Sequence, residues 1–84
     1  MTPERAEILA LEALGWLAGQ PEDMQAFLNL SGIDVAALRD SAGTPEVGAA
    51  LLDFLLGNEP LMLRFCEDMQ IDPRQMQAAR AALA

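Results

Sequence analysis

Residues Val47–Leu56, with the sequence VGAALLDFLL, decide the fold class of this chain. On a helical wheel at about 100° per residue, apolar side chains cover more than half of the circumference, and Glu46, Ala49 and Asp53 mark a narrow polar face. A helix that is apolar on nearly all sides is buried inside a domain or covered at an interface. We therefore predict an all-α protein in which this segment is the central helix, and Gly48 would allow a neighbouring helix to approach closely.

The rest of the chain is divided by residues that begin and end helices. Thr2-Pro3, Thr44-Pro45 and Asp72-Pro73 each combine an N-cap side chain with a proline at the first helical position. Four glycines follow apolar runs, as helix-ending glycines do, at Gly19, Gly32, Gly43 and Gly57. For Gly57 we expect a positive φ. These signals predict a compact bundle of five to six short helices, over residues 3–18, 21–31, 34–42, 45–56, 59–69 and 73–83.

Length and charge limit the possible partners. The 84 residues predict a single helical domain, over residues 1–84, and 13 Asp and Glu against 5 basic residues give a net charge of −8. This negative field repels phosphate backbones and anionic lipid surfaces, so we expect neither a nucleic-acid partner nor a membrane partner. The start of the chain, Met1–Glu7, lacks the pattern of a secretory signal. The single cysteine fits a reducing compartment, and we predict a cytoplasmic protein.

The first half of the chain is similar to the second half when Leu14 is aligned with Leu52, and we call this match the internal alignment. Seven pairs of residues are then identical: Leu14 and Leu52, Leu17 and Leu55, Gly19 and Gly57, Met24 and Met62, Phe27 and Phe65, Ile33 and Ile71, and Asp34 and Asp72. In addition, Trp16 aligns with Phe54, and Leu38 aligns with Met76. Two repeated three-helix units would explain this pattern. Chance similarity between leucine-rich helices would explain it as well, and both interpretations stay open.

The sequence offers few groups for catalysis or metal binding. It contains no His, no Lys and no Tyr, so the acid–base groups are carboxylates and the thiol of Cys66. Cys66 lies on a predicted apolar stripe with Phe65 and Met69, where a small core residue is more common than a redox thiol. Adjacent carboxylates on a helix, as in Glu22-Asp23 and Glu67-Asp68, diverge instead of converging on a metal ion. We therefore expect no enzyme activity, no catalytic residue, no cofactor and no metal.

Several leucines project away from the main apolar stripes of their helices: Leu30, Leu52, Leu56 and Leu63. As a group they indicate a contact surface. We predict a non-enzymatic protein-interaction module in which Leu52, Leu56 and Leu63 contact a protein partner. A second copy in a homodimer is the partner that we favour, because two-fold dimers commonly cover such a patch, and a different protein is the other possibility.

Two further function classes stay open. A carrier for a small apolar ligand or a lipid tail would line a pocket between helices with the aromatic residues Trp16, Phe27, Phe54 and Phe65. A DNA-binding regulator would use a helix–turn–helix over residues 26–39 or 64–77. The second helices of these segments carry few basic residues, of which Arg74 and Arg80 are two, and this ranks the regulator third.

Five stretches are similar to segments of one family: Ala13–Ala18 (ALGWLA), Phe27–Gly32 (FLNLSG), Leu38-Arg39, Leu52–Leu63 (LDFLLGNEPLML) and Ala79–Leu83 (ARAAL). They resemble a family of short alphaproteobacterial proteins catalogued as domain of unknown function 3572. The resemblance extends from about Glu7 to Leu83. It implies a single-domain bacterial cytosolic protein with no assigned activity, cofactor or catalytic residue, and it therefore transfers no site residues.

Overall fold

Six α-helices form the chain in the computed structural model, which describes residues 1–83; Ala84, the last residue of the predicted domain, lies outside them. The helices are α1 (Pro3–Ala18), α2 (Pro21–Ser31), α3 (Val35–Ser41), α4 (Pro45–Leu56), α5 (Glu59–Met69) and α6 (Arg74–Ala82). None of residues 1–83 lies in a strand. The all-α prediction is confirmed, and each helix begins and ends within one residue of its predicted bounds.

Four helices, α1, α3, α4 and α5, begin after a residue whose side chain accepts a hydrogen bond from a free backbone N–H group. The Thr2 hydroxyl accepts from the N–H of Arg5 at 3.2 Å, and the Thr44 hydroxyl accepts from the N–H of Val47 at 3.4 Å. The Asp72 carboxylate accepts from the N–H of Arg74 at 2.9 Å, as the predicted N-cap would, and α6 begins at Arg74, one residue later than predicted. Local capping therefore fixes these helix starts before any tertiary contact is considered.

The central helix of the bundle is α4. It packs against α1, α2, α5 and α6, and its buried residues are Val47, Gly48, Leu51, Leu52, Phe54 and Leu55. Phe27 of α2 and Phe65 of α5 are the largest fully buried side chains that surround this helix. The predicted central position of this segment is confirmed.

The helix-ending glycines differ from one another in backbone conformation. Gly32 has a φ of 75°, in the left-handed region, and it ends α2. The expectation of a positive φ at Gly57 is wrong, because its φ is −82°. After α4 the chain tightens into a shorter turn, in which the N–H of Asn58 donates to the carbonyl of Leu55 at 3.0 Å. α5 ends instead at a non-glycine residue in the left-handed region, Gln70, with a φ of 55°.

Replacing Gly32 and Gly57 with alanine is expected to show which of the two helix ends depends on a left-handed residue. Gly32→Ala should lower the free energy of unfolding by about 1 kcal/mol, because alanine is strained in the left-handed region. Gly57→Ala is the matched control and should cost less, about 0.5 kcal/mol or under, because its φ is already negative. Urea denaturation followed by circular dichroism measures both values. Equal losses for the two variants would contradict the difference in backbone conformation.

The two halves of the chain correspond in backbone conformation under the internal alignment. Three pairs match: Gly19 (φ −85°) with Gly57 (φ −82°), Gln20 (φ −122°) with Asn58 (φ −133°), and Gly32 (φ 75°) with Gln70 (φ 55°). The core positions match as well, with both members buried in the pairs Leu9 and Val47, Ala10 and Gly48, Ala13 and Leu51, Leu17 and Leu55, Phe27 and Phe65, Leu28 and Cys66, and Leu38 and Met76. The hairpin formed by α1 and α2 therefore corresponds to the hairpin formed by α4 and α5.

Two aromatic pairs join the halves crosswise. The rings of Trp16 and Phe65 are 5.5 Å apart at an interplanar angle of 62°, and those of Phe27 and Phe54 are 5.4 Å apart at 61°. In the internal alignment, Trp16 corresponds to Phe54 and Phe27 corresponds to Phe65. Each pair thus contains one ring from each half. This crosswise pairing is the arrangement expected when two similar hairpins pack against each other in opposite orientations.

The third helices of the two halves pack differently. α6 packs against both α1 and α4 and buries Met76 and Ala79. Its counterpart α3 has seven described residues, of which Leu38 is the buried one. The correspondence between the halves therefore weakens at α3.

Candidate functional site

The three leucines predicted to contact a partner lie in different environments. Leu52 is fully buried at 0% exposure, so its prediction as an exposed contact is wrong. The physical reason is that α4 is surrounded by four helices, which bury its wide apolar surface on more than one side. Leu56 is partly buried beside the core, and Leu63 is exposed. A contact role for Leu56 and Leu63 stays a prediction.

Leu30 near the end of α2 is the most exposed large apolar side chain among residues 1–83, at 77%. One signal in the sequence indicated this exposure, because Leu30 projects away from the apolar stripe of its helix. That signal could not show which neighbouring surface Leu30 would adjoin.

A groove lies between α2 and α4 beside this leucine, and we call it the α2–α4 groove. Its volume is about 270 Å³, and it is lined by Phe27, Leu30, Ser31, Ala50, Asp53 and Phe54. Phe27 and Phe54 form its aromatic wall as one of the two edge-to-face pairs. The groove therefore combines apolar side chains with the hydroxyl of Ser31 and one carboxylate, that of Asp53.

The corresponding place in the other half of the molecule is built from different side chains. Phe54 corresponds to Trp16, and Leu30 corresponds to Asp68. There, the indole N–H of Trp16 donates to the Asp68 carboxylate at 2.9 Å. A larger ring held by its own hydrogen bond thus stands where the α2–α4 groove has a phenyl ring and an exposed leucine.

Asp53 carries the charge of the groove. One of its carboxylate oxygens accepts from Nε of Arg80 at 2.7 Å, and its side chain is 57% exposed. Within residues 1–83, the second oxygen accepts no hydrogen bond from the protein. This oxygen is free to accept one from a bound group.

Three ion pairs engage most of the arginines: Arg64 with Asp23 at 3.1 Å, Arg74 with Asp72 at 2.7 Å, and Arg80 with Asp53 at 2.7 Å. The hydrogen bonds from Arg74 to the Asp72 carboxylate lower the pKa of that group to about 2. Because three of the 5 basic residues and three of the 13 acidic residues are paired in this way, ten carboxylates and two arginines are left outside these pairs. The surface is therefore strongly negative.

Cys66 lies in the core, and its interpretation as a core residue is confirmed. Its Sγ atom is 3.6 Å from Sδ of Met62. Burial, together with the negative charge of Asp72, raises the pKa of the Cys66 thiol. The group is therefore a neutral thiol at neutral pH and a weak nucleophile.

The aromatic residues considered for a ligand carrier divide between two places. Trp16 and Phe65 form one pair, and Phe27 and Phe54 form the pair that lines the α2–α4 groove.

Among residues 1–83, no three or more His, Cys, Asp or Glu side chains are grouped in a way that could hold a metal ion. In the same part of the chain, none of the six helices has the length and apolar character needed to cross a bilayer.

The fold and the groove define a small, acidic, all-α protein with an open apolar groove at its surface. The model of the family described as "Protein of unknown function (DUF3572)" matches residues 3–84, and the chain belongs to this family. The family resemblance seen in the sequence is thereby confirmed. Neither the curated proteins nor the solved structures contain a match to the chain.

Proposed function

We propose that this protein is a non-enzymatic protein-interaction module and that the α2–α4 groove, with Leu30 at its edge, is the contact surface. The observation that carries the proposal is the 77% exposure of Leu30 beside an apolar groove of about 270 Å³. Exposed apolar surface next to a concave apolar site is typical of surfaces that bind other proteins. The proposal replaces the buried Leu52 with Leu30 as the leading contact residue.

Binding at this surface would remove apolar area from water on both sides. Covering a leucine such as Leu30 contributes about 1.5–3 kcal/mol, and an apolar partner side chain in the groove contributes a similar amount. Phe27 and Phe54 are packed against each other, so the wall that receives this side chain is formed before binding. A preformed wall reduces the conformational entropy that binding costs.

The absence of enzyme activity is part of the same proposal. The carboxylates of Asp23, Asp53 and Asp72 are paired with arginines, and the thiol of Cys66 is buried. Arg74 and Arg80, the candidate phosphate contacts of a DNA-binding regulator, are both held by aspartates. A cytoplasmic location accords with the single reduced cysteine.

A different protein is the partner that we favour over a second copy. Two copies would each carry a charge of −8, which opposes self-association. With Leu52 in the core, the leucine patch predicted for a homodimer is reduced to Leu56 and Leu63. At about 100 micromolar protein, sedimentation equilibrium should therefore show a monomer, with a mass of 9.0 kDa. A mass of twice this value would make a second copy the partner.

A comparison of two leucine variants tests the interaction module itself. Leu30→Asp should abolish the retention of specific proteins from an extract of the native host, because it places a charge at the edge of the groove. Leu63→Asp is the matched control, because it makes the same change at another exposed leucine. Loss of retention with Leu63→Asp alone would move the contact surface to Leu56 and Leu63. Proteins retained equally by both variants and the unmodified protein would contradict a leucine-dependent surface.

A further inference from the structure

The two halves of the molecule show what the α2–α4 groove is able to hold. In the second half, the place that corresponds to Phe54 and Leu30 holds the indole of Trp16, whose N–H donates to Asp68. In the first half, a groove of about 270 Å³ lies open beside the phenyl ring of Phe54. A large aromatic side chain from outside would pack in this open space against the edge-to-face pair of Phe27 and Phe54.

The polar chemistry of the groove also favours a group with a donor. Asp53 is the charged residue among the six that line it, and in residues 1–83 one of its oxygens has no hydrogen-bond donor. An indole N–H or a nearby cationic side chain would supply that donor. A purely aliphatic group would supply no hydrogen-bond donor, and the second oxygen of Asp53 would then accept hydrogen bonds from water only.

Charge defines the rest of the partner. Ten carboxylates and two arginines lie outside the three ion pairs, so the net field of the molecule attracts cations and repels anions. Complementary charge of this kind increases association rates and excludes wrong partners. A second copy carries the same charge of −8 and is therefore a poor occupant.

We infer that the α2–α4 groove binds one tryptophan side chain presented by a positively charged segment of another protein. This inference rests on the proposed interaction function and adds the chemistry of the partner to it. Tryptophan combines the largest apolar ring with an N–H donor, which is the combination that Trp16 provides in the other half.

The direct test uses a synthetic peptide of about 15 residues, rich in Ala and Lys, with one tryptophan at its centre. Its binding to the full chain is followed by chemical-shift changes in ¹H–¹⁵N NMR spectra at low and at moderate salt. We expect saturable changes at Phe27, Leu30 and Ala50, and weaker binding at higher salt. Replacing the peptide tryptophan with alanine should weaken binding by about tenfold or more, and replacing its lysines with glutamates should abolish it.

A double variant of the protein closes the groove with the residues of the other half. Leu30→Asp combined with Phe54→Trp installs the pair that corresponds to Asp68 and Trp16, and it should weaken peptide binding by about tenfold or more. Leu30→Asp alone serves as a second variant, because its site is exposed and the change does not threaten the fold. Leu11→Asp is the control for added charge, because Leu11 is another exposed leucine and lies on α1, outside the lining of the groove. We expect its affinity to stay within about twofold of the unmodified protein.

Several outcomes would overturn the inference. Equal binding of the tryptophan and alanine peptides would show simple charge attraction, and unchanged binding in both Leu30 variants would place the peptide elsewhere. N-acetyl-tryptophanamide that binds as tightly as the peptide would indicate a site for small ligands. If the peptide fails but Leu30→Asp still abolishes retention of host proteins, the partner chemistry is wrong and the interaction function stands. If neither effect is seen, both proposals fail.

Discussion

Leu51→Ala is expected to lower the free energy of unfolding by about 2–5 kcal/mol, the range found for leucine truncations in well-packed cores. Leu51 is 1% exposed and lies on α4, the helix that packs against four others. Because rigid neighbours surround it on several sides, the cavity left by the smaller side chain cannot collapse fully. Urea denaturation followed by circular dichroism, with the slope of the transition compared between variants, measures the loss.

Leu30→Ala is the control for this experiment, because it makes the same chemical change at a residue that is 77% exposed. It should change the free energy of unfolding by about 0.5 kcal/mol or less. Since small domains are stable by only about 5–15 kcal/mol, the difference between the two variants should be large on this scale. A loss below about 1 kcal/mol for Leu51→Ala would contradict the central position of α4.

The helices could be predicted closely because the signals that define them are local. An N-cap oxygen and a proline act within one turn, so Thr2 and Thr44 fix the starts of α1 and α4 without help from the rest of the chain. The backbone conformation at the end of a helix is less easily predicted. A glycine can end a helix with a positive φ, as Gly32 does, or with a tighter turn at negative φ, as Gly57 does. The sequence does not distinguish the two.

The candidate site could be predicted only in part, because burial depends on which helices surround a given face. A wheel treats one helix at a time, so it placed Leu52 outside the main stripe although other helices cover it. It identified Leu30 correctly as projecting outward, yet the groove beside Leu30 exists only because α2 packs against α4. That pairing is tertiary information, which no local signal carries.

The internal similarity of the sequence contained more tertiary information than any single helix. The internal alignment relates Trp16 to Phe54 and Phe27 to Phe65, and the structure pairs these rings crosswise between the halves. Where the two halves carry different residues, one place holds the hydrogen bond between Trp16 and Asp68 and the other holds the α2–α4 groove. The α2–α4 groove thus lies at a place where the residues of the two halves differ in the internal alignment.

The internal alignment also draws attention to Gly48, where α1 and α4 lie close together. A methyl group added at Gly48 would lie 3.2 Å from Cβ of Ala10 and 3.2 Å from Cδ1 of Leu83. Ala10 is the residue that corresponds to Gly48 in the internal alignment. Because Gly48 has no side chain and that of Ala10 is a single methyl group, the two helices can lie close together at this point.

Gly48→Val is accordingly expected to lower the free energy of unfolding by about 1–3 kcal/mol, because added atoms at a packed helix crossing force the helices apart. Gly15→Ala is the matched control, since Gly15 also lies inside a helix but an added methyl group there meets no atom within 4 Å. It should raise the free energy of unfolding by up to about 1 kcal/mol through the better helix propensity of alanine. Thermal and urea denaturation of both variants measure the expected loss for Gly48→Val and the expected gain for Gly15→Ala. A Gly48→Val variant as stable as the unmodified protein would show that α1 and α4 do not depend on close contact at this crossing.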